Sequence, residues 1–166
     1  MMQAFNGSPS TLFQDLTFNG FGYAFASPLI SILLSSETDF ILFKNTSSTK
    51  LIRLYEQIGS IPDAAATLRS IVRIYKNPTV TNNGTAVAIG GLRNGQAATI
   101  AQAFHTPTIS ARGILVQIYG LTNTPTQRNM DLTRYVEPGD SLLVTAQPNT
   151  VTVNHSFTQA WAEVNG

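Results

Sequence analysis

The stretch VTVNHSF, residues 151–157, carries the regular alternation that decides the fold class of this chain. Val151, Val153, His155 and Phe157 occupy every second position, and polar residues lie between them. Successive side chains of a β-strand point to opposite faces of its sheet. The stretch therefore predicts a strand whose apolar face packs on a core.

Short apolar runs of this kind continue along the chain. Ile114, Val116 and Ile118 alternate in the same way, and turn-forming pairs such as Asn94-Gly95 separate one run from the next. About eight or nine short strands at this spacing are typical of a two-sheet sandwich. We predict an all-β protein, a jelly-roll-like two-sheet β-sandwich with an extended N-terminal arm.

Two segments fit a helix as well as a strand. The apolar residues of Leu51–Ile58 and of Leu68–Tyr75 recur at the i, i+3, i+4 and i+7 spacing of a helix, but those of the first segment also alternate. The second segment contains Ile71-Val72 and Ile74-Tyr75, which are residue types that favour strands. We predict strands for both segments, with a pair of helices as the alternative.

The composition narrows the classes of function. Of 166 residues only 11% are charged, and ten Lys and Arg against nine Asp and Glu leave a net charge of +1. This balance excludes a protein that binds nucleic acid mainly by neutralising phosphates. No apolar run reaches the roughly 18 residues of a membrane span. The absence of cysteine excludes disulfides and thiolate metal sites.

The first part of the chain differs from the rest. Residues 1–43 contain no Lys or Arg, and six aromatic residues fall within positions 1–25. Because aromatic side chains this dense need burial, we divide the chain into an aromatic-rich arm, residues 1–38, and a β-sandwich domain, residues 39–166. The arm covers the core of its own domain, docks on a neighbouring subunit or is a disordered tail. Its candidate interface residues are Phe13, Phe18, Phe21, Tyr23 and Phe25.

Three arginines add to the candidate interface. Arg53, Arg69 and Arg73 fall on the outer faces of two strands in the strand interpretation. The planar guanidinium group makes forked hydrogen bonds and is enriched at protein interfaces. The alternative is that these side chains only solvate the outer face of a sheet.

The sequence carries no pattern of catalytic or metal-binding residues. His105 and His155 have no ligand-type residue at the spacing of a metal site, and no Gly-x-Ser-x-Gly motif occurs. Glu137 and Asp140 flank a Pro-Gly turn, where acidic side chains usually only solvate the turn. We predict that the protein is not an enzyme and has no catalytic residues, no metal and no cofactor.

Four segments resemble small structural proteins of tailed bacteriophages. They are FILFKN at 40–45, IVRIYKNPT at 71–79, EPGDSL at 137–142 and WAE at 161–163, and the resemblance covers residues 39–166. Proteins of that group are β-sandwiches that decorate the capsid or form parts of the tail and baseplate. The resemblance implies a virion structural protein, and no catalytic residues come with it.

Composition and resemblance together predict a capsid decoration (cement) protein that binds and stabilises the shell as a homotrimer. Its partners would be copies of itself and the major capsid protein or other virion proteins, with no nucleic acid and no membrane. It would be made in the host cytoplasm and reside in the virion. The alternatives are a tail or baseplate component and a carbohydrate- or receptor-binding module.

Overall fold

The computed structural model contains fifteen β-strands in the part of the chain that it describes. The described residues are 19–34, 36–60, 69–122, 126–129, 135–149 and 151–165. The strands are β1 (Gly22–Ala26), β2 (Ile30–Ile32), β3 (Thr38–Asn45), β4 (Lys50–Ser60), β5 (Arg69–Lys76), β6 (Thr79–Asn82), β7 (Thr85–Val87), β8 (Ile89–Gly91), β9 (Ala101–His105), β10 (Thr108–Ala111), β11 (Ile114–Thr122), β12 (Thr126–Asn129), β13 (Tyr135–Val136), β14 (Ser141–Pro148) and β15 (Val153–Asn165).

The all-β prediction is confirmed, and both segments that also fitted helices form strands. β4 spans the first of them and β5 covers the second from residue 69 onward, and no helix occurs among the described residues. β5 pairs with β14 on one side and β11 on the other. Val72 and Ile74 are buried whereas Ile71 is exposed. Because the core lies on one side of this sheet, every second side chain of β5 is buried. This alternation is the period of a strand and not that of a helix.

The strands form two main sheets that enclose one core. The first sheet has the order β12-β4-β15-β1-β8, with β13 also paired to β4 and β2 also paired to β15. The second sheet has the order β11-β5-β14-β3-β9-β7, and β10 pairs with β6 in a separate two-stranded sheet. Both main sheets contribute residues to a single buried apolar cluster. The architecture is therefore a β-sandwich.

The order of the strands is that of a jelly roll. β1, β4 and β15 lie in the first sheet, whereas β3, β5 and β14 lie in the second. The last two strands each insert between two early ones, β15 between β1 and β4 and β14 between β3 and β5. β12 and β13 complete one sheet and β11 the other, which gives the jelly-roll connectivity. The predicted jelly-roll-like sandwich is confirmed.

The strands between β5 and β11 form an insertion that widens both sheets on one flank. β9 pairs with β3 and β7 pairs with β9 in the second sheet, while β8 pairs with β1 in the first. These additions lie at the flank away from β11. Within the described part of the chain, β11 is therefore one edge strand of the second sheet and β7 is the other.

A cluster of aromatic side chains joins the two sheets. Trp161 of β15 is fully buried, and its ring centroid lies 5.0 Å from that of Phe43 in β3. Phe25 of β1 packs with its ring centroid 6.0 Å from each of these rings. The Phe157 ring lies 6.2 Å from that of Phe25. Aromatic pairs at such separations contribute about 0.5–1.5 kcal/mol each beyond the buried area.

Part of the predicted arm pairs with strands of the sandwich. Residues 22–26 form β1, paired with β15 and β8, and residues 30–32 form β2, paired with β15. Tyr23 and Phe25 are 4% and 3% exposed in the core of their own chain. Without β1, β15 would present an unpaired edge beside the aromatic cluster, so this segment packs in its own domain. Tyr23 and Phe25 thus cover the core of their own domain, which is one of the alternatives that the sequence left open for the arm.

Replacing Phe25 with alanine tests the aromatic core. The ring contacts Phe43, Phe157 and Trp161, so we expect the free energy of unfolding to fall by about 3–5 kcal/mol. Phe21→Ala is the matched control, since Phe21 is 45% exposed and its loss should cost only about 0.5 kcal/mol. Urea denaturation followed by tryptophan fluorescence measures both. Equal losses would contradict the placement of β1 in the core.

A glycine holds the start of β11 close to the end of β5. Gly113 has a φ of +82°, and a Cβ there would overlap the carbonyl oxygens of Lys76 and Asn77. Gly95 also has a positive φ, +71°, but a Cβ there would meet nothing within 4 Å. The two glycines therefore differ in how closely other backbone approaches them.

Alanine substitutions at these two glycines distinguish the cost of a left-handed backbone conformation from the cost of a clash with nearby backbone atoms. Both Gly113→Ala and Gly95→Ala place a side chain in the left-handed region, which costs about 1–2 kcal/mol. Only at Gly113 does the new Cβ meet backbone atoms, so we expect a clearly larger fall in Tm for Gly113→Ala. Thermal unfolding monitored by circular dichroism measures the difference. The same Tm for both variants would show that the turn accommodates a Cβ.

Candidate interaction surface

An apolar surface is exposed at the edge of the second sheet. Its aliphatic side chains come from β11 and the neighbouring β5, and the exposed fraction reaches 69% at Ile114 and 57% at Ile118. Single exposed apolar residues are ordinary, but a contiguous group is typical of an interaction site. We name this group the β11 surface, and its members are Ile71, Ile114, Leu115, Val116 and Ile118.

The register of β11 on β5 explains why Ile71 and Ile118 face outward. Ile118 lies opposite Arg73, and Gly120 lies opposite Ile71. Leu121, the next residue along β11, is 2% exposed and belongs to the core cluster. Because Gly120 has no side chain, it leaves Ile71 uncovered. The outer side of this strand pair therefore exposes Ile71 and Ile118 beside Arg73.

A β-bulge turns the first residues of β11 outward together. The register shifts between Leu115 and Gln117, so Val116 is an extra residue against β5. Leu115 and Val116 are consequently both exposed, at 44% and 41%. The alternation of Ile114, Val116 and Ile118 in the sequence does mark a strand. These three apolar side chains nevertheless lie on the outer surface and not in the core.

A polar network borders the β11 surface. Glu37 accepts hydrogen bonds from the hydroxyls of Tyr75 and Thr145, at 2.9 Å and 2.6 Å. Its carboxylate also forms ion pairs with Arg73 and Arg112, at 3.5 Å and 3.2 Å. These partners belong to β5, to β14 and to the turn before β11. The Glu37 carboxylate therefore connects the segment before β3 with β5, with β14 and with the turn before β11.

Arg73 and Arg112 are held inside this network. Arg73 donates a hydrogen bond to the side-chain oxygen of Gln147 at 3.0 Å, in addition to its ion pair with Glu37. Arg112 donates to Asp39 at 2.8 Å and to the carbonyl oxygen of Glu37 at 2.7 Å. The guanidinium group of Arg73, which the sequence suggested for a partner contact, is engaged with its own chain.

The arginines predicted for the interface do not converge on one face. Arg53 lies on the first sheet, with its Cζ 5.5 Å from the ring centre of Tyr55 and 5.7 Å from that of Tyr135. A guanidinium group at such distances is attracted by the electron-rich ring faces. Arg73 lies on the second sheet, and the side chain of Arg69 is outside the described part of the structure.

The pKa of Glu37 is held below its usual value of 4.5. Burial by itself raises the pKa, but the hydrogen bonds from Thr145 and Tyr75 and the charges of Arg112 and Arg73 outweigh it. Folding thus favours the charged carboxylate. Its contribution to stability is present above the unfolded-state pKa and is lost as the pH falls through the lowered pKa.

Glu37→Gln tests this contribution. At neutral pH the variant lacks the paired carboxylate, so we expect a lower Tm than that of the wild type. As the pH falls below 4.5 toward the lowered pKa, the wild type protonates this group and the difference in Tm should shrink. Thermal unfolding between pH 7 and strongly acidic conditions measures the effect.

Glu137→Gln is the control for that experiment. The Glu137 side chain is 66% exposed, and its ion pair with Lys76 is 3.9 Å long. Such a pair contributes little to stability, so we expect almost no change in Tm at any pH. If the difference between Glu37→Gln and the wild type stayed constant through the acidic range, the account of the network would be wrong.

Phe21 is the exposed member of the predicted aromatic interface within the described residues. It is 45% exposed, as is Leu92, and the backbone N–H of Leu92 donates to the carbonyl of Gly22 beside it. The start of β1 therefore lies beside the end of β8. Phe13 and Phe18 lie outside the described residues, so their part of the interface stays a prediction.

Two segments that carry the sequence resemblance meet at the end of β5. The ammonium group of Lys76 lies 2.7 Å from Asp140 and 3.9 Å from Glu137. Asn77 donates to the Asp140 carboxylate at 2.8 Å and accepts from the backbone N–H of Ser141 at 3.0 Å. The two acidic residues flank the Pro-Gly turn, and both form ion pairs with one lysine of β5.

The two histidines lie on strands of different sheets. His155 is buried, with its ring centroid 6.0 Å from that of Phe40, and His105 ends β9. Among the described residues, no three His, Asp or Glu side chains come together in a group that could hold a metal ion. No helix in the same part of the chain is long and apolar enough to span a membrane.

No family model matches this chain, and no curated protein matches its sequence. Among solved structures, a chain of turnip yellow mosaic virus is similar over 100% of this chain and 86% of its own length, with 11% sequence identity and a TM-score of 0.31. That TM-score is too low to support a conclusion about fold or function.

Proposed function

We propose that this chain is a virion structural protein that binds a capsid shell as a homotrimeric decoration (cement) protein. The observation that carries the proposal is the β11 surface, five exposed aliphatic side chains at the edge of a jelly roll. An open apolar edge strand is prone to associate with other chains. Contacts with copies of itself and with the shell would bury it.

The size of the β11 surface fits a repeated contact. Fully burying one Ile, Leu or Val side chain contributes about 1.5–3 kcal/mol. The exposed fractions of the five residues lie between 38% and 69%, so only part of that value remains to be gained from each. Association costs at least about 4 kcal/mol in lost freedom. One such contact is therefore weak alone, and an assembly that repeats it around a shell gains by multivalency.

The fold and the charge agree with this role. Jelly rolls serve in viral capsid proteins and also in lectins, so the fold by itself does not select a function. The resemblance of residues 39–166 to tailed-phage structural proteins supports a role for this chain as a component of the virion. A net charge of +1 with 11% charged residues gives no means of binding nucleic acid through phosphates. The proposal assigns no catalytic step to this chain.

Imaging of the particle tests the role. A decoration protein occupies equivalent positions over the whole shell, and a trimer gives three-fold density at each of them. Density confined to the tail would assign the chain to the tail or baseplate. Retention of a sugar on a glycan array, with no density on the particle, would make it a receptor-binding module instead.

Ile118→Glu tests the β11 surface as the contact. A charge at a position that is 57% exposed should leave the fold intact and weaken particle binding at least about tenfold, which corresponds to about 1.4 kcal/mol. Leu92→Glu, at a position that is 45% exposed beside β8, is the matched control and should bind normally. Co-sedimentation with particles measures binding, and circular dichroism checks folding. Normal particle binding by Ile118→Glu would refute the proposed contact between the β11 surface and the particle.

A further inference from the structure

We infer that Asn94 is a site of spontaneous deamidation in the native protein, and that the fold protects Asn83, which also precedes a glycine, from the same reaction. The modification needs no enzyme and no cofactor, and its only co-reactant is water. It is independent of the role proposed above, since it depends only on the local conformation of two loops.

An Asn-Gly pair is the sequence in which this reaction is least hindered. The backbone nitrogen of the residue after an asparagine attacks the side-chain carbonyl carbon, and a glycine there has no Cβ to block the approach. The chain contains five such pairs, and Asn6 and Gly166 belong to two that extend outside the described residues. The five asparagines are Asn6, Asn19, Asn83, Asn94 and Asn165.

The reaction proceeds through a cyclic succinimide. A bond forms between the Gly95 nitrogen and Cγ of Asn94, the bond from Cγ to Nδ2 breaks, and the proton of the attacking nitrogen leaves with Nδ2 as ammonia. Water then opens the ring at either of its two carbonyls, which gives aspartate or isoaspartate. In both products a neutral amide has become a carboxylate that is charged at neutral pH, so the net charge of the chain falls from +1 to 0.

Asn94 and Gly95 form the exposed tip of the loop after β8. Both residues are exposed to solvent, and a Cβ at Gly95 would meet nothing within 4 Å. The attack requires the peptide group between the two residues to rotate until its nitrogen faces Cγ. The open space around Gly95 permits this rotation, and water can reach the ring once it has formed.

The base of the same loop is held by hydrogen bonds to β1. The N–H of Leu92 donates to the carbonyl oxygen of Gly22 at 3.0 Å, and the side-chain amide of Gln96 donates to the same oxygen at 2.7 Å. The Tyr23 hydroxyl donates to the carbonyl oxygen of Ala97 at 3.0 Å. Because these bonds fix both ends of the loop, a change of the backbone at its tip leaves the sandwich intact.

Asn83 precedes a glycine in the loop between β6 and β7, but its surroundings restrain the reaction. The Asn83 side chain is half-buried, and its oxygen accepts a hydrogen bond from the Lys44 ammonium group at 3.4 Å. The N–H of Gly84, whose nitrogen would have to attack, donates to the side-chain oxygen of Asn82 at 2.9 Å. A Cβ at Gly84 would overlap the carbonyl oxygen of His105. The peptide group therefore cannot rotate without breaking a hydrogen bond and displacing neighbouring backbone.

Peptide mapping of native protein incubated at mildly alkaline pH tests the inference. Trypsin cleaves after Lys76, Arg93 and Arg112, so residues 77–93 and 94–112 form separate peptides with one Asn-Gly pair each. We expect peptide 94–112 to show the mass gain of an amide replaced by a carboxylate, in two products of equal mass, aspartate and isoaspartate. Peptide 77–93 should gain this mass at least about tenfold more slowly, which corresponds to about 1.4 kcal/mol in activation free energy.

Protein incubated in denaturant is the control for intrinsic reactivity, and protein digested before incubation gives the background of the digestion. In the unfolded chain both pairs are unrestrained, so the two peptides should gain mass at similar rates. Similar rates in the native protein as well would show that the fold does not protect Asn83. A peptide 94–112 that stays unmodified in the native protein, while it converts in denaturant, would refute the site at Asn94.

Two variants identify the reacting groups. Asn94→Ser removes the side-chain amide, so a mass gain that persists in peptide 94–112 would come from a glutamine and would overturn the assignment to Asn94. Gly95→Ala places a methyl group beside the attacking nitrogen and should slow the conversion at least about tenfold. An unchanged rate would refute attack by the nitrogen of residue 95.

Circular dichroism before and after incubation shows whether the native loop is what reacts. We expect the spectrum of the modified protein to match that of the unmodified protein, because the ends of the loop are held to β1. Loss of the β spectrum in step with the mass gain would mean that the conversion takes place in unfolded molecules. The assignment to the native loop would then be wrong.

Discussion

The contact between Trp161 and Phe43 is the interaction on which the rest of the structure depends. The two rings come from opposite sheets and lie 5.0 Å apart, and Trp161 is fully buried. The Tyr23 ring stacks on Trp161 with the two ring centroids 6.0 Å apart, and Phe25 packs beside the rings of Trp161 and Phe43. Because these side chains belong to β1, β3 and β15, packing them together requires β15 to lie beside β1 and across from β3.

The position of the exposed edge follows from that core. With β15 and β14 inserted at the centres of the two sheets, β11 is left beside β5 with only its second half turned inward, through Tyr119 and Leu121. The bulge at Val116 then turns the first half outward. Gly113 and the Glu37 network fix the turn before β11 against the ends of β5 and β3. The apolar surface is thus held in place by the fold.

Local pattern was a good guide wherever one face of a strand meets the core. Val153, His155 and Phe157 alternate in the sequence and all three are buried on one face of β15. Val151, which continues the same alternation, lies in the turn before β15 and is 48% exposed. The sequence alone did not place Tyr23 in the core, because an aromatic-rich composition shows that a segment needs cover and does not show what covers it.

The sequence by itself determined the strand periodicity, the low charge and the turn positions, such as Gly139, whose φ of +78° suits a glycine. These are properties of neighbouring residues, and they act before the chain is packed. Only the tertiary structure decided that Tyr23 lies against Trp161, that Arg53 and Arg73 lie on different sheets, and that the apolar face of β11 is open. A strand's period tells which side chains share a face, but whether that face is covered depends on residues far away in the chain.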